Sequence, residues 1–434
     1  MMENIEETLK LVEITDTTTT TTNTTTTNNQ EVIIINEKKE IIINENDIEE
    51  GRDLDNESGR SLAYFERILK LEAIVGADVI EIATVLGWRV VVKKGLYKVG
   101  DPVVYCEIDS ILPPWQYFID DKMDSRGFKI KTIKLRGEIS QGYCIPIKEL
   151  INHPHKKIKA VYKEEEDNNN ETIVHLLDED SNEKIPIEMG RNLTDFIGIK
   201  KITEYVQIPR NVNGSNRKAY TFPSFIKRTD QTRIQSVPHY FDLHQDLLWE
   251  VTEKLEGSSI TVFKKGKESG VCSRNFLIED FQGSDIHQAV IEDLDLLNRL
   301  STIDLNIALQ GEILGPKIQG NIYQLRKNYF KIFDIFLIDS QRYATHDERI
   351  EILNSLKLTP SDHMAPVISN SFSLKGKTLS DILDMANGFS ILKESKPKIL
   401  REGLVFKSTS TIGSVNQSVV SFKAISNQYL LKKK

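Results

Sequence analysis

From residue 62 onward, apolar and polar positions fall into short runs that alternate over a few residues, the period of strands rather than helices. Residues 79–86, 88–92 and 103–108 are β-branched segments separated by Gly87 and by 95–101. This spacing predicts a small antiparallel β domain, sandwich or barrel. Pro102 opens the third run, where a missing N–H costs no ladder bond. Runs 128–135 and 142–147 continue the style, and Lys129, Lys131, Lys134 and Arg136 give one stretch a basic edge. A polar, acidic insertion follows at 163–170. Beyond about 217 both periods occur. Strand-like runs lie at 259–264, 304–314, 329–338 and 404–407, and helix-like stretches at 285–300, 346–356 and 378–386. They do not alternate regularly, so the expected class is α+β with mainly antiparallel sheets, not a doubly wound fold. No internal repeat is visible. A domain boundary is expected between Ile197 and Asn216, where 211–217 is a loop by composition, giving domains at 61–205 and 216–434.

The first 60 residues change this picture. Residues 15–30 are nearly all Thr and Asn, between acidic, Ile-rich stretches. They have little apolar surface to bury, so a disordered, expendable tail is expected. Runs 32–35 and 41–43 could pair as strands, but no partner strand is evident. The tail also explains the net charge of −8, because it holds 15 of the 64 acidic residues and only 5 of the 56 basic ones. The remainder carries +2 and is free to present a basic face. The composition, 39% hydrophobic and 28% charged, excludes membrane and fibrous classes. No apolar run reaches the roughly 20 residues of a bilayer span, and the acidic N-terminus has no secretory core. Cys106, Cys144 and Cys272 form no C-x-x-C pair, so reduced thiols in an intracellular protein are expected. No basic cluster chooses between nucleus and cytoplasm.

Candidate chemistry begins at Glu253-Lys254-Leu255-Glu256-Gly257-Ser258-Ser259. In an extended stretch Lys254 and Glu256 share a face and can project into one site. A lysine with a free pKa of about 10.4 must lose its proton to act as a nucleophile. Gly257 would let the backbone approach a ligand closely. Alone, the tetrapeptide fits a solvent-facing charged turn better. Behind it, in order, stand Ser273-Arg274-Asn275, Gly311-Glu312 at a strand end, Phe330-Lys331-Ile332-Phe333-Asp334-Ile335, Glu402-Gly403-Leu404-Val405-Phe406-Lys407 and Ser421-Phe422-Lys423-Ala424-Ile425.

This ordered series resembles the covalent nucleotidyltransferase superfamily of ligases and capping enzymes. Their motifs run K-x-D/E-G, a strand-end Glu, an aromatic-x-Asp strand, E-G-x-V-x-K and a final lysine motif. Within it the chain is most similar to ATP-dependent RNA ligases, whose nucleophile motif more commonly carries aspartate where Glu256 stands. Gly311–Pro316 and the segment 222–230, followed by Arg233 and Gln235, also resemble theirs. Residues 87–92 and 99–105 resemble the N-terminal OB-type module of one ligase branch. Two departures stand out: Ser421 replaces the first lysine of a frequent Lys-x-Lys, and only eleven residues follow Lys423. DNA ligases and capping enzymes usually place an OB domain there, so an RNA ligase is the expectation. A DNA ligase, a GTP-using capping-type enzyme and a non-catalytic RNA-binding protein remain the alternatives.

The resemblance implies an ATP-grasp-like nucleotidyltransferase domain of antiparallel sheets with helices, preceded by a small OB-type β-barrel. It implies a lysyl-AMP on Lys254, transfer of AMP to an RNA 5′-phosphate, and sealing by an RNA 3′-OH. Lys407 and Lys423 would neutralise phosphates. Arg274, Lys227 and Glu253 would contact the nucleotide, and Phe333 would stack on adenine with Phe330 its competitor. Glu256, Glu312 and Glu402 would hold Mg²⁺ or Mn²⁺, directly or through water. The expected partners are ATP and RNA ends, with no membrane, and the expected state is a monomer. In the β domain Trp88, Arg89, Lys93, Lys94, Tyr97 and the basic stretch could track a single strand, by analogy with other OB barrels. His153 and His155 could suggest a metal, but no third ligand is apparent and a polar loop is the expectation.

Overall fold

The computed structural model describes residues 61–163, 174–202, 219–278, 285–410 and 419–433. The tail, the insertion at 164–170, and the boundary loop expected at 211–217 lie outside the described residues. Two compact units divide the chain. One falls within Met1–Val85, Arg89–Ile133 and Ser140–Ile202, and the other within Leu86–Trp88, Lys134–Ile139 and Thr203–Lys434.

The first unit is built of short antiparallel strands. β1 (Ala63–Arg67) and β6 (Tyr143–Pro146) flank β5 (Pro102–Cys106), while β2 (Lys70–Ala73), β3 (Ile80–Val85) and β4 (Trp88–Lys93) form a second sheet. Burial along β4 alternates strictly: Trp88, Val90 and Val92 are buried, the residues between them half-buried. That is why the period of two was readable there. The same fact corrects one expectation. Trp88 and Tyr97 are buried core residues, not surface platforms for bases. Lys129, Lys131, Lys134 and Arg136 are exposed, as a basic edge requires. Their stretch is two short strands, Lys129–Ile130 and Ile133–Leu135, rather than one. Left-handed φ values at Phe128 and Arg136 bracket it. His153 Nε2 lies 3.0 Å from the Phe196 carbonyl and its ring packs on Trp115, so it serves the fold.

Two sheets form the second unit. Seven strands make the first: β7 (Ala219–Thr221), β10 (Ser258–Lys265), β11 (Glu268–Ser273), β12 (Phe276–Ile278), β13 (Ile307–Leu314), β14 (Tyr329–Leu337) and β15 (Arg342–Tyr343). Their order across the sheet is β7-β12-β11-β10-β13-β14-β15. The other sheet contains β8 (Thr232–Arg233), β9 (Leu248–Lys254), β16 (Val367–Ser373), β17 (Gly403–Ser408) and β18 (Ser421–Ile425), ordered β8-β18-β17-β9-β16. All pairings are antiparallel except β8 with β18.

Helices α1 (Asp285–Asp293), α2 (Leu296–Ser301) and α3 (His346–Ser355) pack on the first sheet through one apolar cluster that includes Ile260, Val271, Val290, Leu296, Ile307 and Leu353. Each fully buried Leu or Ile there contributes about 1.5–3 kcal/mol. The single helix expected at 285–300 is broken at Asp295, whose φ is +48°. Capping boxes at Thr345/Glu348 and Thr378/Asp381 start α3 and α4 (Leu379–Ala386), close to the expected positions.

A buried ionic network joins the two sheets. Glu250 on β9 accepts from Arg349 on α3 and lies 2.8 Å from His346 Nδ1. Lys407 on β17 lies 2.8 Å from Asp334 Oδ1 on β14, which is also 3.8 Å from Arg349. Burial alone would raise the Glu250 pKa, but His346, Arg349 and Lys407 hold it at about 2. Sequence patterning gave no sign of this network.

Candidate active site

Lys254 ends β9 on the second sheet, and Ser258 begins β10 on the first, so Leu255-Glu256-Gly257 is the crossover between sheets. Gly257 is required here by crowding. A Cβ would sit 2.6 Å from the Ile313 carbonyl oxygen and 3.0 Å from Glu312 Oε2. The close approach is thus to strand β13, where the sequence suggested a ligand.

Register places the cations. Thr252 lies opposite Val405, Val405 opposite Lys423, and Lys423 opposite Arg233. Residues paired in this way share a face of the sheet, and Lys254 shares it with Thr252 by the period of two. Lys254, Lys423 and Arg233 therefore stand on one face, although Arg233 is 190 residues from Lys423 in the chain. Gly403 lies opposite Lys254, and the preceding Glu402 reaches the lysine: Nζ and Oε1 are 2.8 Å apart, with side chains 24% and 15% exposed.

The electrostatics of the cluster are mutual. Burial would lower the Lys254 pKa, but Glu402, with help from Glu312 and Glu256, holds it above the ordinary lysine value. Burial, reinforced by Glu402 and Glu256, pushes Glu312 up to about 7, while Lys254 and Arg274 pull the other way. Burial, with Lys254 and Arg233 nearby, brings Lys423 down to about 8. The resting site thus holds an ammonium paired to a carboxylate, one carboxyl that titrates near neutrality, and one lysine with a weakened proton.

Several expected residues engage partners within the fold. Lys407, expected at a phosphate, is one. It is buried, and its Nζ donates to Asp334 Oδ1 at 2.8 Å and to the Phe333 carbonyl oxygen. It braces the bulge where β14 loses register with β13, between Gly311 opposite Ile332 and Gln310 opposite Asp334. Glu253 faces away from Lys254, as neighbours on a strand must. Its buried carboxylate accepts the Ile391 N–H at 2.8 Å, so it anchors a loop. Glu256, Glu312 and Glu402 do not converge as a direct ligand set, and no cluster of three metal-binding side chains occurs among the described residues. Like charges keep apart: Glu402 turns to Lys254, and Glu256 to Tyr429 and Lys433. Glu312 Oε2 is buried without a hydrogen-bond partner.

Other expectations keep their places. Phe333 is half-buried at the bulge, 5.7 Å from Lys407 Nζ, whereas its competitor Phe330 is buried in the core cluster. Arg274 is exposed, 3.3 Å from Asp230, and contributes to the field at Glu312. Lys227 lies in a loop whose carbonyl accepts from Gln310 Nε2 at 2.8 Å, and its side chain is exposed. The residues not foreseen are Glu250, His346, Arg349, Tyr323, Tyr429 and Lys433. All of them meet the site through long-range contacts that local spacing does not encode. Arg233 had been noted only as a neighbour of the 222–230 segment.

Comparison with known proteins fits this geometry. The RNA ligase family model matches residues 247–425, and an OB-fold domain model matches residues 62–147. Solved structures of Naegleria gruberi RNA ligase are similar over most of the chain. A lysine-to-methionine mutant with AMP and Mn is 31% identical, with 86% of this chain and 99% of that one covered and a TM-score of 0.63. A lysine-to-alanine mutant with ATP and Mn is 30% identical over the same shares, with a TM-score of 0.62. The enzyme with PPi is 31% identical, again at 86% and 99%, with a TM-score of 0.62. No curated protein sequence matches the chain.

Proposed function

The chain belongs to the RNA ligase family, and from that premise we propose how its own residues join RNA 3′-OH and 5′-phosphate ends. It is an ATP-dependent RNA ligase that uses ATP as co-substrate together with a divalent cation. The observation that carries the residue assignment is Lys254 at the sheet crossover, ion-paired to Glu402 and on one face with Lys423.

In the first step Lys254 Nζ attacks the α-phosphorus of ATP. The N–P bond forms, the bond to the bridging oxygen breaks, and that electron pair leaves with pyrophosphate. Lysine must shed a proton, and Glu402 at 2.8 Å is its nearest acceptor. Lys423 and Arg233 sit where charge on the phosphates can be balanced as it shifts to the leaving group. Phe333 offers a half-buried face for the adenine ring, held at its bulge by Lys407. In the second step an oxygen of the RNA 5′-phosphate attacks the lysyl-AMP phosphorus, and the N–P electrons return to Lys254. In the third the RNA 3′-OH attacks the activated 5′-phosphate, loses its proton, and AMP leaves.

The donor set suits a hard cation. Glu312 keeps an unpaired buried oxygen, and burial, reinforced by Glu402 and Glu256, raises its pKa, a cost to the ionised form that a cation would relieve. Glu312, Glu256 and Glu402 would hold it through water, and it would supply charge neutralisation at the triphosphate and disfavour the ammonium.

The domains are 61–205 and 216–434, and the enzyme acts as a monomer. An intracellular setting suits the three free, buried cysteines. No helix among the described residues is long and apolar enough to cross a membrane.

Incubation with Mn²⁺ and α-³²P-ATP, beside α-³²P-GTP, tests the core of this. Label on the wild type from ATP only, absent from Lys254→Ala with an unchanged circular dichroism spectrum, is the expected result. Label retained by Lys254→Ala would overturn the assignment of the nucleophile.

A further inference from the structure

Glu256 lies two residues after Lys254, yet its carboxylate does not reach the ammonium. Both of its oxygens are taken by one stretch at the far end of the second unit. Tyr429, on α5 (Asn427–Lys432), donates its hydroxyl to Oε2, and Lys433 donates from Nζ to Oε1 at 2.9 Å. From the other side the Glu256 backbone N–H donates to the hydroxyl of buried Tyr323 at 2.9 Å. The Glu256 side chain is only 9% exposed.

The holding stretch is itself fixed. Ser426 caps α5 by accepting the Tyr429 N–H at 3.1 Å, and its hydroxyl donates to Asn387 Oδ1 at 3.0 Å. The Ser426 backbone N–H donates to the carbonyl of Glu402 at 2.9 Å. One turn of chain therefore touches both glutamates that flank the nucleophile. It reaches Glu402 through the main chain and Glu256 through two side chains.

We propose that Tyr429 and Lys433 are positioning residues for lysyl-AMP formation, holding the Glu256 carboxylate off Lys254 and in a fixed orientation. The proposal rests on the reading of Lys254 as nucleophile. A glutamate has three side-chain torsions, and in a half-buried cluster with an ammonium two residues away the Coulomb attraction would draw it in. A carboxylate free to swing onto Lys254 would crowd Nζ and lose its own fixed orientation. Diverting Glu256 to a phenol and a second cation prevents this. A carboxylate offers about four lone-pair directions, so two donors leave about two open toward the site. Tyr323 fixes the backbone of the same residue, which leaves the side-chain torsions as the freedom that Tyr429 and Lys433 remove.

The test is single-turnover lysyl-AMP formation by the full chain with ATP and Mn²⁺, in the wild type, Tyr429→Phe, Lys433→Met and the pair. Loss of a hydrogen bond to a charged group should slow Tyr429→Phe by roughly tenfold. Half-saturating ATP should change little, because both residues act through the Glu256 carboxylate. Lys433→Met should slow the step less, since Lys433 is itself half-exposed, and Lys433→Arg should restore it. In a Glu256→Asp background, whose shorter carboxylate no longer reaches the phenol, Tyr429→Phe should add no further loss. A Tyr429→Phe variant that forms lysyl-AMP at the wild-type rate overturns the proposal. An equal fold loss in the Glu256→Asp background also overturns it, because that is the signature of a purely structural tyrosine. Failure of the Lys254 reading would look different: label would then persist in Lys254→Ala.

Discussion

At the scale of single residues, the cluster around Lys254 sets stability against function. Glu312 is raised from an ordinary 4.5 to about 7, so the folded state binds its proton more tightly than the unfolded chain does. The stabilising contribution of that proton is full below about 4.5 and is lost as pH rises through about 7. Above that, the protein carries a buried carboxylate with one oxygen unpaired. Replacing it by an uncharged isostere should therefore help the fold most where the native group is ionised. Glu312→Gln is expected to melt higher than the wild type at about pH 8, with the gain vanishing near pH 5, while lysyl-AMP formation is lost. Thermal melts at the two pH values check this, and an equal shift at both would show that the Glu312 charge is not the cause. The second residue-scale expectation concerns Lys423. Lys423→Ala should slow lysyl-AMP formation by roughly 10²–10³, the usual loss for a charge-stabilising donor, as measured in single turnover. Lys254, Glu312, Glu402 and Lys423 were legible because their order along the chain is itself a signal. Tyr429 and Lys433 were not, since they meet Glu256 across 173 and 177 residues and no local pattern encodes such a pairing.

At the scale of elements, strands were legible wherever burial alternates, as in β4, and wherever a continuous apolar run is buried on both faces, as in β13. Helix limits came from capping residues such as Thr345 and Thr378. The break at Asp295 was missed because the apolar pattern continues through it, with Leu294, Leu296 and Leu297 all packed in or against one cluster. The charged side of the elements was read less well. Lys407 was expected at a phosphate because it ends the Glu402–Lys407 motif, and it also belongs to the buried network with Asp334, Glu250 and Arg349. Such networks are costly to break on one side only. Arg349→Met leaves Glu250 buried with His346 and the more distant Lys407, and should destabilise by about 3–5 kcal/mol in urea unfolding. Adding Glu250→Gln to Arg349→Met should recover much of that loss. No recovery would mean that Arg349 acts mainly through its bond to the Ala344 carbonyl. Packing at the crossover predicts a further effect. Gly257→Ala puts a methyl 2.6 Å from a backbone oxygen of β13 and should cost about 1–3 kcal/mol, with lysyl-AMP formation slowed as Lys254 shifts.

At the scale of the whole molecule, charge is divided along the sequence in a way that bears on RNA binding. The first 60 residues hold 15 acidic and 5 basic side chains, a net of −10, against +2 for the other 374. Similarity points the same way: 86% of this chain already covers 99% of the N. gruberi ligase mutant with AMP and Mn. Catalysis therefore has no evident need of the tail, and its effect on RNA should be electrostatic. A strongly negative segment tethered to the enzyme competes with phosphates for Lys129, Lys131, Arg136 and the other exposed cations, and the competition weakens as salt screens it. A variant lacking residues 1–60 is expected to form lysyl-AMP at the wild-type rate. It should bind a nicked RNA duplex more tightly at low salt, with the two proteins converging as ionic strength rises past about 0.3 M, where the Debye length falls below about 6 Å. Fluorescence anisotropy across a salt series measures this directly. Weaker RNA binding by the shortened protein at every salt concentration would instead make the tail, despite its charge, part of the RNA-binding surface. A fall in lysyl-AMP formation would place it near the ATP site, a role its Thr- and Asn-rich composition gives no reason to expect.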